Sequence, residues 1–221
     1  HYWPATEMGR RNLAPILDQK GIAHPRVTLR PKKVAESDFT PIDEWYGDPL
    51  KDYCAFWCEE VPSFTAPVKD IFQTAAVRVR GGAMVEEFQS LVRPWKSTGW
   101  QSALQSLLGG KAEAVTSADD VDLVIKAFFR FVQDDVLVST QALGNQGKLL
   151  SRAARYSGMT EIPNQFLDLL DYAADCSEEF DLENNTRAYL LNHFALEEGQ
   201  DAGEKAKANV FLYEKLKELE A

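Results

Sequence analysis

Two neighbouring acids, Glu59 and Glu60, follow a dense run of apolar residues and could serve as ligands of a divalent ion. Carboxylate oxygens are the ligands that Mg²⁺ prefers, and one or two of them can hold the ion together with substrate phosphates. A second pair of acids, Asp201 and Glu204, lies near the start of a helical stretch and extends the set of candidate ligands. The competing interpretation of Glu59 is a solvated or ion-paired carboxylate at the end of a strand.

The other reactive side chains form no catalytic arrangement that the sequence reveals. His193 has no partner at metal-ligand spacing, and no Ser-His-Asp or Cys-His set can be argued around it. Cys54 and Cys58 are four residues apart in an apolar stretch. On one face of a strand they would be about 13 Å apart, too far for a disulfide, so we expect reduced thiols in the core.

Charge is distributed unevenly along the 221 residues, whose formal net charge is −10. Residues 1–35, the basic arm, hold seven basic residues against two acidic ones, so the rest of the chain is strongly acidic. An acidic body repels a phosphate backbone, so we expect nucleic-acid binding to be weak and confined to the arm. The arm residues expected to contact phosphate are Arg10, Arg11, Arg26, Arg30, Lys32 and Lys33.

The apolar pattern predicts an α/β or α+β layer fold. Prolines punctuate residues 1–50 and leave little room for long elements there. Gly81-Gly82 is a two-residue turn signal between two alternating runs, which predicts a β-hairpin. Strands are predicted at residues 53–59, 71–80, 83–93 and 136–140, helices at 119–133, 148–158, 187–196 and 204–220, and a helix or a strand followed by a helix at 164–174.

Three strings in this pattern resemble the DEDDh family of 3′–5′ exonucleases. Residues 71–94, IFQTAAVRVRGGAMVEEFQSLVRP, are similar to the second and third strands of that family. Residues 121–158 resemble the helix, strand and helix around the family's second motif. The string FLDLLDYA at residues 166–173 resembles the family's FLDTLRLA segment.

The resemblance covers roughly residues 52–217. It implies a ribonuclease H-like three-layer α/β fold, in which helices flank a mixed central sheet. We therefore divide the chain into an irregular, basic N-terminal extension at residues 1–50 and an exonuclease-like domain at residues 51–221.

Most of the family's catalytic positions are changed in this sequence. In the family, four carboxylates hold two divalent ions, and a His activates the attacking water. The first motif reads FWCEEVP here, with Trp57 at the Asp position and Glu59 at the Glu position. Asn145 replaces the Asp of the second motif in STQALGN, and Gln200 and Lys205 replace the His and Asp of the third in QDAGEKA. The resemblance thus implies that two-metal catalysis is lost, with no metal site beyond Glu59.

These changes lead us to expect a non-catalytic binding or scaffold module without a cofactor. We expect a protein partner or a larger assembly, while dimerisation among relatives also allows a homodimer. No apolar run reaches the roughly 20 residues that a membrane span needs, and a cytoplasmic setting is expected. The alternative is an active or weakly active exonuclease on single-stranded DNA or RNA, which would use Mg²⁺ or Mn²⁺ held by acids at unusual positions.

The degenerate site itself supports a geometric prediction. In the family fold, the positions of Glu59 and Lys205 converge from the first strand and the last helix. A partly buried carboxylate without a metal needs a counter-charge. We therefore predict that the Lys205 ammonium lies within about 4 Å of Glu59, with the Asn145 amide nearby and the Trp57 ring filling the remaining space. Asn145 is also a candidate N-cap for the helix that follows it.

Overall fold

A mixed six-stranded sheet forms the centre of the domain. The computed structural model describes residues 39–61, 70–95, 100–177, 179–180 and 186–220, all within one compact unit at residues 33–221. The sheet order is β1-β6-β5-β2-β3-β4. Strands β1, β6, β5 and β2 are parallel, and β3 is antiparallel to both β2 and β4. The strands are β1 Asp43–Glu44, β2 Tyr53–Glu60, β3 Ile71–Arg80, β4 Ala83–Leu91, β5 Leu137–Ser139 and β6 Gln165–Asp168.

Seven α-helices are described around this sheet. They are α1 Trp100–Leu108, α2 Ala112–Thr116, α3 Val121–Val132, α4 Asn145–Tyr156, α5 Leu169–Cys176, α6 Arg187–His193 and α7 Ala202–Glu220, with a short 3-10 turn at Gly109–Lys111. None of the described helices is long and apolar enough to cross a membrane.

Strand β2 explains why the domain has three layers. Phe56 faces the core between the sheet and helices α3 and α4. Tyr53 and Ala55 face the other core, which α5 and α7 cover. Because alternate side chains of a strand point to opposite faces, an apolar run without polar interruptions is the pattern of a strand covered on both sides. The predicted three-layer fold is confirmed.

The predicted hairpin is also confirmed. Strands β3 and β4 pair in antiparallel register from Gln73↔Leu91 to Arg80↔Ala83. The turn residues Gly81 and Gly82 have φ of 57° and 80°, a left-handed conformation that favours glycine. This hairpin extends the sheet beyond β2 and gives α7 a broad surface on which to pack.

The segment before β2 is more ordered than an irregular extension would be. Residues 43–44 form β1, which pairs in parallel with β6, and Phe39 and Ile42 pack against the core beneath α4. Short parallel pairing of this kind leaves almost no periodic signal in the sequence. The boundary at residue 50 stays a prediction, and the cations of the basic arm lie outside the described residues.

Candidate functional site

The end of β2 and the first turns of α7 form the candidate site. The Lys205 Nζ atom lies 2.5 Å from Glu59 Oε1, and both side chains are about four-fifths buried, with 19% and 18% of their surface exposed. This confirms the predicted ion pair. Glu59 Oε1 accepts no regularly oriented hydrogen bond from the described residues, so the contact is chiefly electrostatic.

The ring of Trp57 lies close to two cations, Arg187 and Lys205. The Arg187 guanidinium carbon lies 4.5 Å from the ring centroid, and the Lys205 ammonium lies 5.6 Å from it. Both distances are within the range of cation–π attraction. The ring of Trp57 packs against the core that α5 and α7 cover, and it offers its electron-rich face to two positive charges.

Arg187 is the central residue of the site, although no motif in the sequence pointed to it. Its Nε donates to Glu198 Oε1 at 2.8 Å, and its Nη1 donates to Thr140 Oγ1 at 3.0 Å and to Asn209 Oδ1. Its Nη2 donates to the Lys205 carbonyl at 3.2 Å. Burial lowers the pKa of Arg187 from its ordinary value, against the opposing effect of Glu198. The guanidinium thus ties α6 to α7 and to Thr140, the residue that follows β5.

Asn209 links three elements beneath this cation. Its Nδ2 donates to the Phe56 carbonyl at 2.9 Å and to Ser139 Oγ at 3.0 Å, and its Oδ1 accepts from Arg187. Asn209 is fully buried, so an unsatisfied amide here would be costly. The network therefore fixes the spacing of β2, β5 and α7 at the site.

Asn145 is not the N-cap of α4. It is the first residue of α4, the N-cap position belongs to Gly144, and no side chain caps the helix, so the predicted cap is wrong. Its Nδ2 lies 3.5 Å from Glu60 Oε2, a marginal hydrogen bond. The pairing of β2 with β3 shifts between Glu59 and Glu60, which redirects the strand end. The Asn145 amide thus contacts Glu60, the residue that follows Glu59 in the chain, and its predicted proximity to the Glu59–Lys205 pair stays a prediction.

The neighbouring Gln146, which the sequence did not single out, fastens α4 to β2. Its Oε1 accepts from the Cys58 N–H at 2.7 Å, and its Nε2 donates to the Cys58 carbonyl at 3.2 Å. A side-chain amide can satisfy one backbone donor and one acceptor in this way. Gln146 is buried, so these bonds lie in the core beside the candidate site.

The acids of the third motif cap α7. Asp201 Oδ1 accepts from the Glu204 N–H at 3.0 Å, and Glu204 Oε2 accepts from the Gln200 N–H at 2.6 Å. Burial opposes the charge of Asp201, but the donors Glu204, Gln89 and Gly203 outweigh it and hold its pKa below the ordinary value. Gln200 contributes its backbone to this arrangement, and the two acids have helix-capping roles.

The remaining candidates lie away from this site or have structural contacts. His193 Nδ1 is 3.7 Å from Glu179 Oε1 and lies among aromatic rings. Cys54 and Cys58 are buried thiols, as expected. Within the described ranges, no group of three or more His, Cys, Asp or Glu side chains is placed to hold a metal ion.

Comparisons with known proteins match this architecture. No family model matches the chain. A DNA polymerase III of PolC type from Listeria welshimeri is 26% identical over 184 residues, which span 81% of this chain but 12% of that relative. The nuclease domain of 3′hExo, a DEDDh family member solved with rAMP, aligns with a TM-score of 0.62 at 16% identity, covering 80% of this chain and 96% of that one.

A second solved structure extends the likeness. E. coli Exonuclease I in complex with a dA13 oligonucleotide aligns with a TM-score of 0.51 at 14% identity, covering 74% of this chain and 39% of that one. The chain therefore has the fold of the DEDDh-family 3′–5′ exonucleases, and it corresponds to a small part of the curated relatives that it matches.

Proposed function

We propose that this exonuclease-like domain is non-catalytic and serves as a binding or scaffold module. The observation that carries the proposal is the ion pair of Glu59 and Lys205, since the resemblance assigns both positions to metal-binding acids. An ammonium at one of these positions neutralises the remaining carboxylate. The charge that would attract a divalent ion is thereby already compensated within the chain.

Arg187 strengthens this argument. Its guanidinium lies over Trp57, the residue at the position of the first acid, and it bonds to Thr140 and Asn209 beneath. Two divalent ions about 4 Å apart need several carboxylates to offset their charge. With Lys205 and Arg187 already at this site, an added divalent ion would meet two fixed positive charges, so the donor set does not fit a two-ion centre.

The alternative, an active or weakly active exonuclease, depends on acids at unusual positions. Of these, Asp201 and Glu204 hydrogen-bond to the backbone at the start of α7. Recruiting them to a metal would leave N–H groups at the helix end without acceptors. This cost favours the non-catalytic function over the alternative.

A degradation assay tests the proposal. End-labelled single-stranded DNA and RNA are incubated with the full chain in Mg²⁺ or Mn²⁺, and calorimetric titration with each ion is run in parallel. We expect no metal-dependent release of mononucleotides and no stoichiometric ion binding. Release that requires a divalent ion and disappears in Glu59→Gln would overturn the proposal, because contaminating nuclease would not respond to that substitution.

A non-catalytic domain acts through what it binds. We propose a protein partner or a larger assembly as the setting, with self-association into a homodimer as the simplest form. The support is the size relation, since the curated relative from Listeria welshimeri is a DNA polymerase III of which this chain matches 12%. Sedimentation of the full chain over a concentration series measures self-association, and a monomer throughout would exclude the homodimer.

A further inference from the structure

A corner of the domain between strand β4 and helix α7 exposes three large apolar side chains. Met84, Val85 and Phe211 each have between 41% and 52% of their surface exposed. Strand β4 is the last strand in the sheet order, and among the described residues it pairs with β3 alone. A single exposed apolar side chain needs no explanation, but a group of them is typical of a surface that binds another molecule.

Two contacts show how α7 lies along this strand. The Gln89 side chain lies against Gly203, at the start of the helix. Two residues back along the strand, Glu87 Oε2 lies 2.9 Å from Lys207 Nζ, one turn further along the helix. Two residues of a strand and four residues of a helix cover nearly the same length, about 6–7 Å. The helix therefore runs antiparallel to β4.

The same progression brings the exposed apolar side chains to one corner. Met84 pairs with Val79, whose side chain lies in the core that α7 covers, so Met84 is on the side of the sheet that faces the helix. The register of β3 and β4 shifts just before this pair, which leaves Val85 as the extra residue of a β-bulge. Phe211 comes one helical turn after the ion pair with β4. Met84 and Phe211 thus follow that ion pair on the strand and on the helix.

A cavity of about 680 Å³ opens beside Phe211. Leu196, Ala208 and Phe211 give it an apolar wall, and the segment that connects α6 to α7 forms its other side. Its volume is within the range of binding clefts in proteins. We call this cavity, together with Met84 and Val85, the corner surface.

The charge of the corner surface indicates which kind of partner it fits. Among the described residues, three carboxylates and one ammonium line the cavity: Glu197, Glu198, Glu204 and Lys207. Two of these groups already have ion-pair partners, since Glu198 contacts Arg187 and Lys207 contacts Glu87. With both pairs taken as neutral, Glu197 and Glu204 remain. The surface is therefore negative even after the paired groups are set aside.

This charge disfavours two other occupants. An acidic surface repels the phosphate backbone of a nucleic acid. A second copy of the chain, related by a two-fold axis, would place the same patch of both copies together and so bring the acids face to face. A polypeptide that carries both apolar and basic side chains complements the surface in both respects.

We propose that the corner surface binds a segment of a partner protein in which apolar side chains alternate with lysine or arginine. The apolar side chains pack against Phe211 and Met84, and the cations face Glu197 and Glu204. The proposal rests on the proposed function, because it names the partner chemistry of a non-catalytic module. Its carboxylates are separate from the ion pair of Glu59 and Lys205.

Fluorescence anisotropy with a labelled 12-residue peptide of alternating Lys and Leu, using the full chain, tests the proposal. Phe211→Ala should weaken binding about tenfold, because it removes the aromatic wall of the cavity. Glu197→Lys should weaken it about fivefold at low salt, with a smaller effect as salt is added.

Two control variants match these changes outside the corner surface. Leu123→Ala removes a similarly exposed apolar side chain from α3, and Glu161→Lys changes the net charge as Glu197→Lys does, at another exposed acid. Both should leave binding within about twofold. Thermal unfolding of each variant confirms that it folds.

Four outcomes would overturn the proposal. They are absence of peptide binding by the unaltered chain, equal weakening by the control variants, equally tight binding of a peptide of alternating Glu and Leu, and self-association of the chain that Phe211→Ala abolishes. The last result would assign the corner surface to a second copy. Because the degradation assay depends on Glu59 and a metal ion, its result and that of the peptide assay can fail independently.

Discussion

The Arg187 guanidinium covers the ring of Trp57, the residue that stands where the resemblance places the first catalytic acid. In a metal centre that position supplies negative charge. Here it supplies a polarisable surface for a cation that also donates to four acceptors. Interactions within the chain therefore hold the site together, so its contribution to the free energy of unfolding can be measured.

Replacing Arg187 with Ala should lower the free energy of unfolding by roughly 3 kcal/mol, since buried acceptors on Thr140 and Asn209 lose their donor. Arg187→Lys should recover little, because one ammonium cannot reach the same set of acceptors. Urea denaturation measures both variants. Arg130→Ala, on an exposed helix surface, is the control and should change stability by less than about 0.5 kcal/mol. A loss below about 1 kcal/mol for Arg187→Ala would contradict the network.

The ion pair of Glu59 and Lys205 can be measured with a double-mutant cycle. We expect Glu59→Gln and Lys205→Met each to destabilise the fold, and the double variant to lose less than the sum, with a coupling energy of about 1–2 kcal/mol. The pair is only partly exposed, so added salt should change this coupling little. Additive single losses would show that the two charges do not stabilise each other.

Restoring acids should restore ion binding. Trp57→Asp, Asn145→Asp and Lys205→Asp together should make thermal unfolding sensitive to Mn²⁺, with stabilisation of about 2–3 kcal/mol at a hundredfold excess over Kd. Adding Arg187→Gln should tighten binding, because it removes a fixed positive charge. The unaltered chain is the control, and an equal response from it would show that a metal site exists without the restored acids.

The buried thiol of Cys58 should make the fold sensitive to alkali. Burial raises its pKa to about 12, with a smaller opposing effect from Thr74. Its unfolded pKa is near 8.5. A thiol whose pKa is higher in the folded state than in the unfolded state stabilises the fold fully at pH values below its unfolded pKa. This stabilisation is lost as the pH rises towards 12. The free energy of unfolding should therefore fall above about pH 9, and it should fall less steeply in Cys58→Ala. In a separate test, iodoacetamide should modify Cys58 only after unfolding. Alkylation of Cys58 in the folded chain would contradict its burial.

The basic arm gives a separate prediction about nucleic acid. A chain beginning at Ser37 lacks all six candidate cations, so its affinity for single-stranded DNA should be much lower than that of the full chain. The slope of log affinity against log salt concentration should become shallower by up to about 4, because each lost phosphate contact removes roughly 0.7 from its magnitude. Anisotropy titrations at several salt concentrations measure both quantities. Equal binding by the two chains would show that the arm is not responsible.

Much of the fold could be predicted because its signals are local. The turn Gly81-Gly82 and the alternation on either side specify a hairpin, and the apolar run of β2 specifies a strand buried on both faces. The pair Glu59 and Lys205 could be predicted because each residue occupies a motif position whose place in the fold is known. Glu59 from the first motif and Lys205 from the third were enough to infer that the two side chains are in contact.

Arg187 could not be predicted, for a physical reason. Its partners Thr140, Glu198 and Asn209 are 11 to 47 residues away and share no periodicity with it. A similar limit applied to the contact of Asn145 with Glu60, because the pairing of β2 with β3 is irregular between Glu59 and Glu60. Such irregularities arise from pairing with another strand, and the sequence of one strand does not show them.

Asn209 has a consequence for the order in which the domain can be completed. Its amide satisfies the Phe56 carbonyl, 153 residues earlier in the chain. During synthesis, the strand that carries Phe56 is finished long before the helix that carries Asn209 emerges from the ribosome. Until then, the centre of the sheet has an open polar group and an uncovered apolar face, the kind of surface that chaperones recognise. Helix α7, Ala202–Glu220, is thus the element that closes the domain.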